Sequence, residues 1–240
     1  MNNMKIDILT LFPEMCENYL SESIIGRARK SGFIEINCRN IRDYTTDKHR
    51  RVDDSPYGGG TGMVMQAQPI YDCVMSVTSD LSEKPRLIYM SPQGKTLTQG
   101  LVKELAGEKR LVLLCGHYEG VDNRVLEELD FEEISIGDYV ITGGELPALV
   151  LTDAIARLLE GVLPNEDAFT EESHYNGLLE EPKYTRPEVW RERKVPEVLI
   201  SGHHANIEKW REEQRLKITG EKRPDLLNCN SQPNRATTED

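Results

Sequence analysis

At 240 residues with a net charge of −12, 38% hydrophobic and 29% charged, the chain has the apolar content for a real core and the length of one large domain or two modest ones. No apolar run approaches the roughly 20 residues that cross a bilayer, and the start, MNNMKIDILTLF, has neither the apolar region nor the cleavage site of a signal peptide, so no membrane partner is expected. Five scattered cysteines, Cys16, Cys38, Cys73, Cys115 and Cys229, lack CxxC spacing; they argue against zinc and dithiol redox chemistry and fit reduced core thiols in a cytoplasmic protein.

In chain order, MKIDILTLF reads as a strand ended by Pro13, and EMCENYLSESIIGRARKSG as one helix stopped at Gly32. FIEINCRNI alternates apolar and polar residues as a second strand does. The stretch RDYTTDKHRRVDDSPYGGGTGM is too charged and glycine-rich for either regular element. A helix over Gln68 to Val77, a strand RLIYM and a turn SPQG follow. Thr98 is placed to cap the next helix, whose Leu101, Val102 and Leu105 share one face. Then come the strand RLVLLCG, a helix over Asp122 to Leu129, the strand EEISIG and a long helix over Leu146 to Leu159. Strands alternating with helices predict an α/β fold, a parallel sheet with helices on both faces.

Past Gly161 the pattern changes. The expected organisation is a catalytic-type body over 1–162, an acidic linker or functional loop over 163–176, and a small helical domain over 177–240. In the last, helices are expected at His204 to Gln214 and Pro224 to Leu227, before a disordered tail NSQPNRATTED. From Lys183 to Arg223 there are 11 Lys plus Arg against 7 Asp plus Glu, a net +4, so the rest carries −16. That asymmetry admits a nucleic-acid partner, although a solvated helical face has the same composition.

Ligands of parallel sheets bind beyond the carboxyl ends of the strands. Three such ends are MSPQG, CGHYEG and IGDYVITGGELP. Their glycines free backbone groups for a ligand. The spacings are neither GxGxxG nor GxxxxGK[ST], and only Lys95 is near, so a neutral base and sugar suit these turns better than a polyphosphate.

Together with DILTLFPEM, DDSPYGGGTGM, GLLEEPKYTRP, SGHH and RPDLL, these turns resemble the bacterial tRNA (guanine-N1)-methyltransferases, the TrmD type of the SPOUT methyltransferases. The resemblance runs from Asp7 to Leu227. It implies a deep trefoil knot that holds S-adenosylmethionine, which topology rules alone would not suggest. It places donor contacts on Tyr89, Ser91 and Pro92 in the first loop. In the second they are Gly116, Tyr118 and Glu119. The third supplies Ser135, Ile136, Gly137, Asp138, Tyr139, Val140, Ile141, Gly143, Gly144 and Pro147. Pro92, Ile136, Ile141 and Pro147 are the side chains suited to sandwich an adenine ring.

The implied reaction is methylation of guanosine N1 just 3′ of the tRNA anticodon. The family's general base is the Asp of a D-S-F motif; here Glu172, Ser173 and His174 stand there, with Glu166, Asp167 and Glu171 as rivals. The other implied catalytic residue is Arg157, able to hold guanine O6; its spacing equally allows a helix ion pair with Asp153. The resemblance further implies a homodimer with active sites at the subunit interface, tRNA contact by YGGGTG, and an anticodon-stem-binding C-terminal domain. Arg50 and Arg51 are candidate phosphate holders, as are Lys209, Arg211, Arg215 and Lys217 along one helix flank. Trp190 and Trp210 are expected as core anchors. His203 and His204 lack a third metal ligand and are expected at a turn and a helix start. Magnesium is linked to the reaction in this family, but no sequence cluster locates a metal site. The alternatives are a SPOUT methyltransferase with another RNA target, or an RNA-binding module that keeps the donor pocket without catalysis.

Overall fold

Five strands form one parallel sheet: β1 (Met4–Thr10), β2 (Ile34–Asn40), β5 (Arg86–Thr96), β6 (Arg110–Cys115) and β7 (Glu132–Ser135), in the order β2-β1-β6-β5-β7. The computed structural model describes residues 4–163 and 169–229, and the expected tail falls outside them. The chain separates into two compact units, Met1–Asn165 and Glu166–Asp240.

In the first unit the pleat sorts the core. Met4, Ile6, Ile8, Ile88, Met90, Leu111 and Leu113 point to one face; Leu9, Leu87, Tyr89, Val112 and Leu114 point to the other. The first face packs under α1 (Pro13–Leu20), α2 (Ser23–Lys30), α4 (Gln99–Ala106) and α6 (Glu145–Ala156); the second packs under α3 (Ala67–Thr78) and α5 (Asn123–Leu129). Buried on both faces, the strands read as the apolar runs typical of parallel sheets. Cys16, Cys73 and Cys115 are buried free thiols, as fillers should be.

Three departures from expectation are instructive. The single helix over 14–32 is broken: Glu22 is extended and Ser23 has φ 54°, so α2 restarts at a new angle. Gly26 lets it do so, because a Cβ there would collide with the Ser21 carbonyl. SPQG is not a simple turn after a strand. β5 pairs with β7 at Met90↔Ile134 and again at Lys95↔Ile134, with residues 91–94 looped out between. The charged stretch before α3 also contains a short antiparallel ribbon, β3 (Asp53–Asp54) with β4 (Val64–Met65), too brief for any periodicity to show.

The second unit holds a two-stranded hairpin, β8 (Val189–Trp190) and β9 (Arg193–Lys194), then α7 (Glu197–Ile200), α8 (His204–Lys222) and α9 (Pro224–Cys229). α8 runs eight residues beyond the expected Gln214. His203 caps it and His204 opens it, as expected. Among the described residues no helix is long and apolar enough to cross a membrane.

Candidate active site

The loop within β5 and the loops after β6 and β7 converge on a cavity of about 390 Å³. All the candidate donor contacts except Gly137 and Asp138 line it. Those two sit within the third loop. Gly137 takes φ 148°, a left-handed value that favours glycine, and Asp138 faces solvent. Pro92, Ile136, Ile141 and Pro147 are all in the wall.

Glycine is required here by close approach. A Cβ on Gly144 would lie 2.7 Å from Cys115 Cα and 2.9 Å from Gly116 N. The bare backbones instead bond directly, Gly144 N–H donating to Gly116 O at 3.0 Å. The second and third loops are thus laced together, and α6 starts at once, its Ala148 N–H donating back to Gly144 O. Ser135 fixes the third loop from below: its hydroxyl donates to Gly137 O at 3.0 Å and accepts from Gly137 N at 3.2 Å.

The lining carries no Lys or Arg, but it carries the carboxylates Glu119 and Glu133. That electrostatic setting repels phosphates and suits a cationic, uncharged-ring ligand. Burial, with Glu133 adding to it, pushes the Tyr89 phenol above its ordinary pKa, so the ring contributes a neutral hydroxyl to the wall.

The residues missed in the sequence are His117, in this wall, and Thr10 and Glu145 behind it. Glu145, only 2% exposed, accepts from the Thr10 hydroxyl at 2.5 Å and pairs with His117 Nε2 at 2.7 Å. It is the first residue of α6, where the helix dipole favours a carboxylate. Phe12 packs edge-on against the His117 ring, centroids 5.0 Å apart. Thr10, His117 and Glu145 therefore tie the end of β1 to both cavity loops. His117 lies in CGHYEG and Glu145 in IGDYVITGGELP, but nothing in their spacing pairs residues 28 or 135 positions apart.

The YGGGTG loop borders the same region. Glu119 N–H donates to Met63 O at 3.0 Å, and Met65 N–H to Gly120 O at 2.9 Å. Gly58, Gly59 and Gly60 all have positive φ with open space around them, so they serve conformation, not packing. No helix follows the glycines directly; α3 begins at Ala67. Arg50 and Arg51 are already engaged by Asp43 and Asp47.

Arg157 caps the end of α6, its N–H donating to Asp153 O at 3.2 Å. Leu146, Val150, Asp153 and Arg157 share one side of that helix by spacing. Leu146 and Val150 are exposed, beside exposed Phe12, Met15 and Tyr19 of the α1 region. The Tyr19 hydroxyl donates to Asp153, and this bond, then burial and the Asp153 charge, push its pKa up to about 12. Asp153 thus has Tyr19 of α1 as a partner.

In the second unit Glu172 is half-buried in a turn, accepting from Tyr175 N–H at 3.2 Å, beside Ser173, whose hydroxyl accepts from Glu180 N at 3.0 Å. Glu166 and Asp167 lie outside the described residues. Glu171 binds Arg215. Among the described residues no cluster could hold a metal ion.

Comparison with known proteins bears on this arrangement. Residues 4–229 match the family described as tRNA (Guanine-1)-methyltransferase TrmD. The chain belongs to this family. A tRNA (guanine-N(1)-)-methyltransferase of Ruminiclostridium cellulolyticum is 60% identical over 94% of this chain and 97% of its own length. Proteins of the same name from Alkaliphilus oremlandii and Lachnospira eligens are 53% and 54% identical, each over 93% of this chain and 92% and 94% of their own. Membership in this methyltransferase family makes the chain an enzyme.

Two expectations for the second unit need correction. Trp190 is no core anchor; it is 59% exposed, whereas Trp210 is half-buried against Tyr184. Of the expected α8 phosphate holders, Arg215 is turned away from a free flank. Arg215 faces inward to Glu181 and Glu171, Arg211 binds Glu208, and Lys209 lies 3.9 Å from Glu213.

Proposed function

We propose that the protein transfers a methyl group from S-adenosylmethionine to N1 of the guanosine 3′ of the anticodon, position 37 of tRNA, in the cytoplasm. The observation that carries this is the cavity at the three strand ends: apolar walls, bare glycine backbone, two carboxylates and no cation. Pro92, Ile136, Ile141 and Pro147 enclose the adenine, and backbone groups of 136–141 read its edge. Glu119 and Glu133 offset the positive charge of the donor. S-Adenosylmethionine supplies a methyl already activated on a sulfonium.

The protein's remaining tasks are position and proton transfer. Glu172 takes the N1 proton as general base. A glutamate in place of the family aspartate reaches one methylene further, and its turn is braced by Ser173. Arg157 donates to guanine O6 and stabilises the charge that develops there. The exposed apolar side of α1 and α6, ending at Arg157, supports a homodimer with that residue at its interface. The close passage of Gly144 over Cys115–Gly116, and of Gly94, whose Cβ would collide with the Glu133–Ile134 peptide, supports a trefoil knot. The second unit is the tRNA-binding domain.

The test is incubation with S-adenosylmethionine and unmodified tRNA, followed by digestion and mass spectrometry of the nucleosides. 1-Methylguanosine is expected from tRNA with guanosine 3′ of the anticodon and none from a matched adenosine tRNA. A methyl on ribose or another base would favour a different RNA target. Donor binding without any transfer would favour a non-catalytic module.

A further inference from the structure

With Arg215 held inward by Glu181 and Glu171, a second basic surface of this unit lies at the hairpin. Arg186, Arg191, Arg193 and Lys194 make no ion pair among the described residues. Against Glu188 and Glu192 they leave the hairpin region net positive. Residues 183–194 are exposed throughout, Val189 and Trp190 included.

The hairpin is built to present a ring. Arg191 and Glu192 both adopt positive φ, 46° and 67°, the two-residue turn whose twist matches a tight hairpin. The ladder continues through Val195 N–H donating to Glu188 O at 2.9 Å. Trp190 pairs across the strands with Arg193, so both project from the same face. The Arg191 guanidinium carbon lies 5.1 Å from the Trp190 ring centroid. An exposed indole flanked by two arginines on a short ribbon has no role in packing this unit. It combines the two means by which proteins hold unpaired nucleotides, an aromatic platform and phosphate-binding cations.

We propose that the β8–β9 hairpin is an RNA-contact element, in which Trp190 stacks on an unpaired base of the tRNA while Arg193 and Lys194 hold flanking phosphates. This rests on tRNA being the substrate, and the readouts separate the two ideas. Full-length protein carrying Trp210→Phe keeps Trp190 as its one tryptophan. Titration with unmodified tRNA then quenches and shifts the emission, with the midpoint found by filter binding; S-adenosylmethionine alone leaves it unchanged. Trp190→Ala weakens tRNA binding about ten-fold. Arg193→Gln with Lys194→Gln lowers the slope of log affinity against log salt by about 2. The donor KM is unaffected in both variants. A silent Trp190 at tRNA concentrations that saturate methylation overturns the hairpin assignment and leaves the reaction standing. A Trp190 response without methylation upholds the hairpin and removes the proposed reaction. Emission that changes with protein concentration in the absence of RNA, and not on adding RNA, overturns the assignment in favour of a second copy of the chain.

Discussion

The two units are held together by different physics. The first buries two apolar layers against a parallel sheet, and its cavity loops are fixed by backbone contact and a buried Thr10–Glu145–His117 chain. In the second, the buried residues among those described are polar, Glu181 and Thr219. The Glu181 side chain, 3% exposed, gathers Lys183 and Arg215 at 2.6 and 2.9 Å, with Arg211 at 3.8 Å. Thr219 bridges Leu179 N–H and Arg215 O. Apolar burial suits a rigid site for a small ligand. A charge-centred core suits a unit that meets a polyanion, and it makes that unit sensitive to acid and salt.

Glu172→Gln should have the largest effect, since it removes the proposed base from the second unit and leaves the cavity untouched. A roughly 10²–10⁴-fold loss of kcat is expected with unchanged donor affinity, read by single-turnover methylation. Full activity would return the base to another residue and blur the division of labour.

Glu181→Gln should come next. Removing one partner of a buried ion pair costs about 3–5 kcal/mol. It should weaken tRNA binding while calorimetric donor binding stays normal. Burial raises the Glu181 pKa, but the hydrogen bonds from Lys183 and Arg215 outweigh it and hold the carboxyl at about 2. A lowered folded pKa means this stabilisation is present above the ordinary value of 4.5 and lost as pH falls from there toward 2. Acid unfolding followed through Trp210 in a Trp190→Phe background should show that loss, and Glu181→Gln should abolish its pH dependence in that window.

His117→Ala acts on the other side of the comparison. Leaving Glu145 without its ring partner costs about 1–3 kcal/mol, expected as a raised donor KM with little change in tRNA affinity. Recovery in His117→Gln, which keeps a donor, would assign the effect to the hydrogen bond. Tyr19→Phe should be mildest, about 1 kcal/mol or less, seen in sedimentation as a slight weakening of the proposed dimer.

Local chemistry decided what the sequence could reveal. The three loop motifs carry glycines wherever chains approach, and all three reach one cavity. Thr98 caps α4 as its position suggests, its hydroxyl accepting from Leu101 N at 3.3 Å. Long-range pairing was not legible: Thr10 and Glu145 are both buried by a partner far along the chain. The Arg191–Glu192 turn was missed because neither residue type favours positive φ. The length of α8 was missed because Ile218, Thr219 and Gly220 are weak helix formers, whereas the Thr219 hydroxyl bond to Leu179 holds that turn. Trp190 was misplaced because hydrophobicity alone predicts burial, not which tryptophan has neighbours.

The proposed reaction depends on the donor cavity. Gly144 has φ −82°, so alanine is allowed there by conformation and forbidden only by the Cys115–Gly116 backbone. Gly100, whose Cβ would meet nothing nearer than the Thr98 hydroxyl at 3.7 Å, is the matched control. Calorimetric titration of S-adenosylmethionine into the full-length protein, Gly100→Ala and Gly144→Ala is the direct measurement. We expect saturable binding of similar affinity in the first two and its loss in the third. Native-like binding by Gly144→Ala would contradict the assignment of this cavity to the methyl donor.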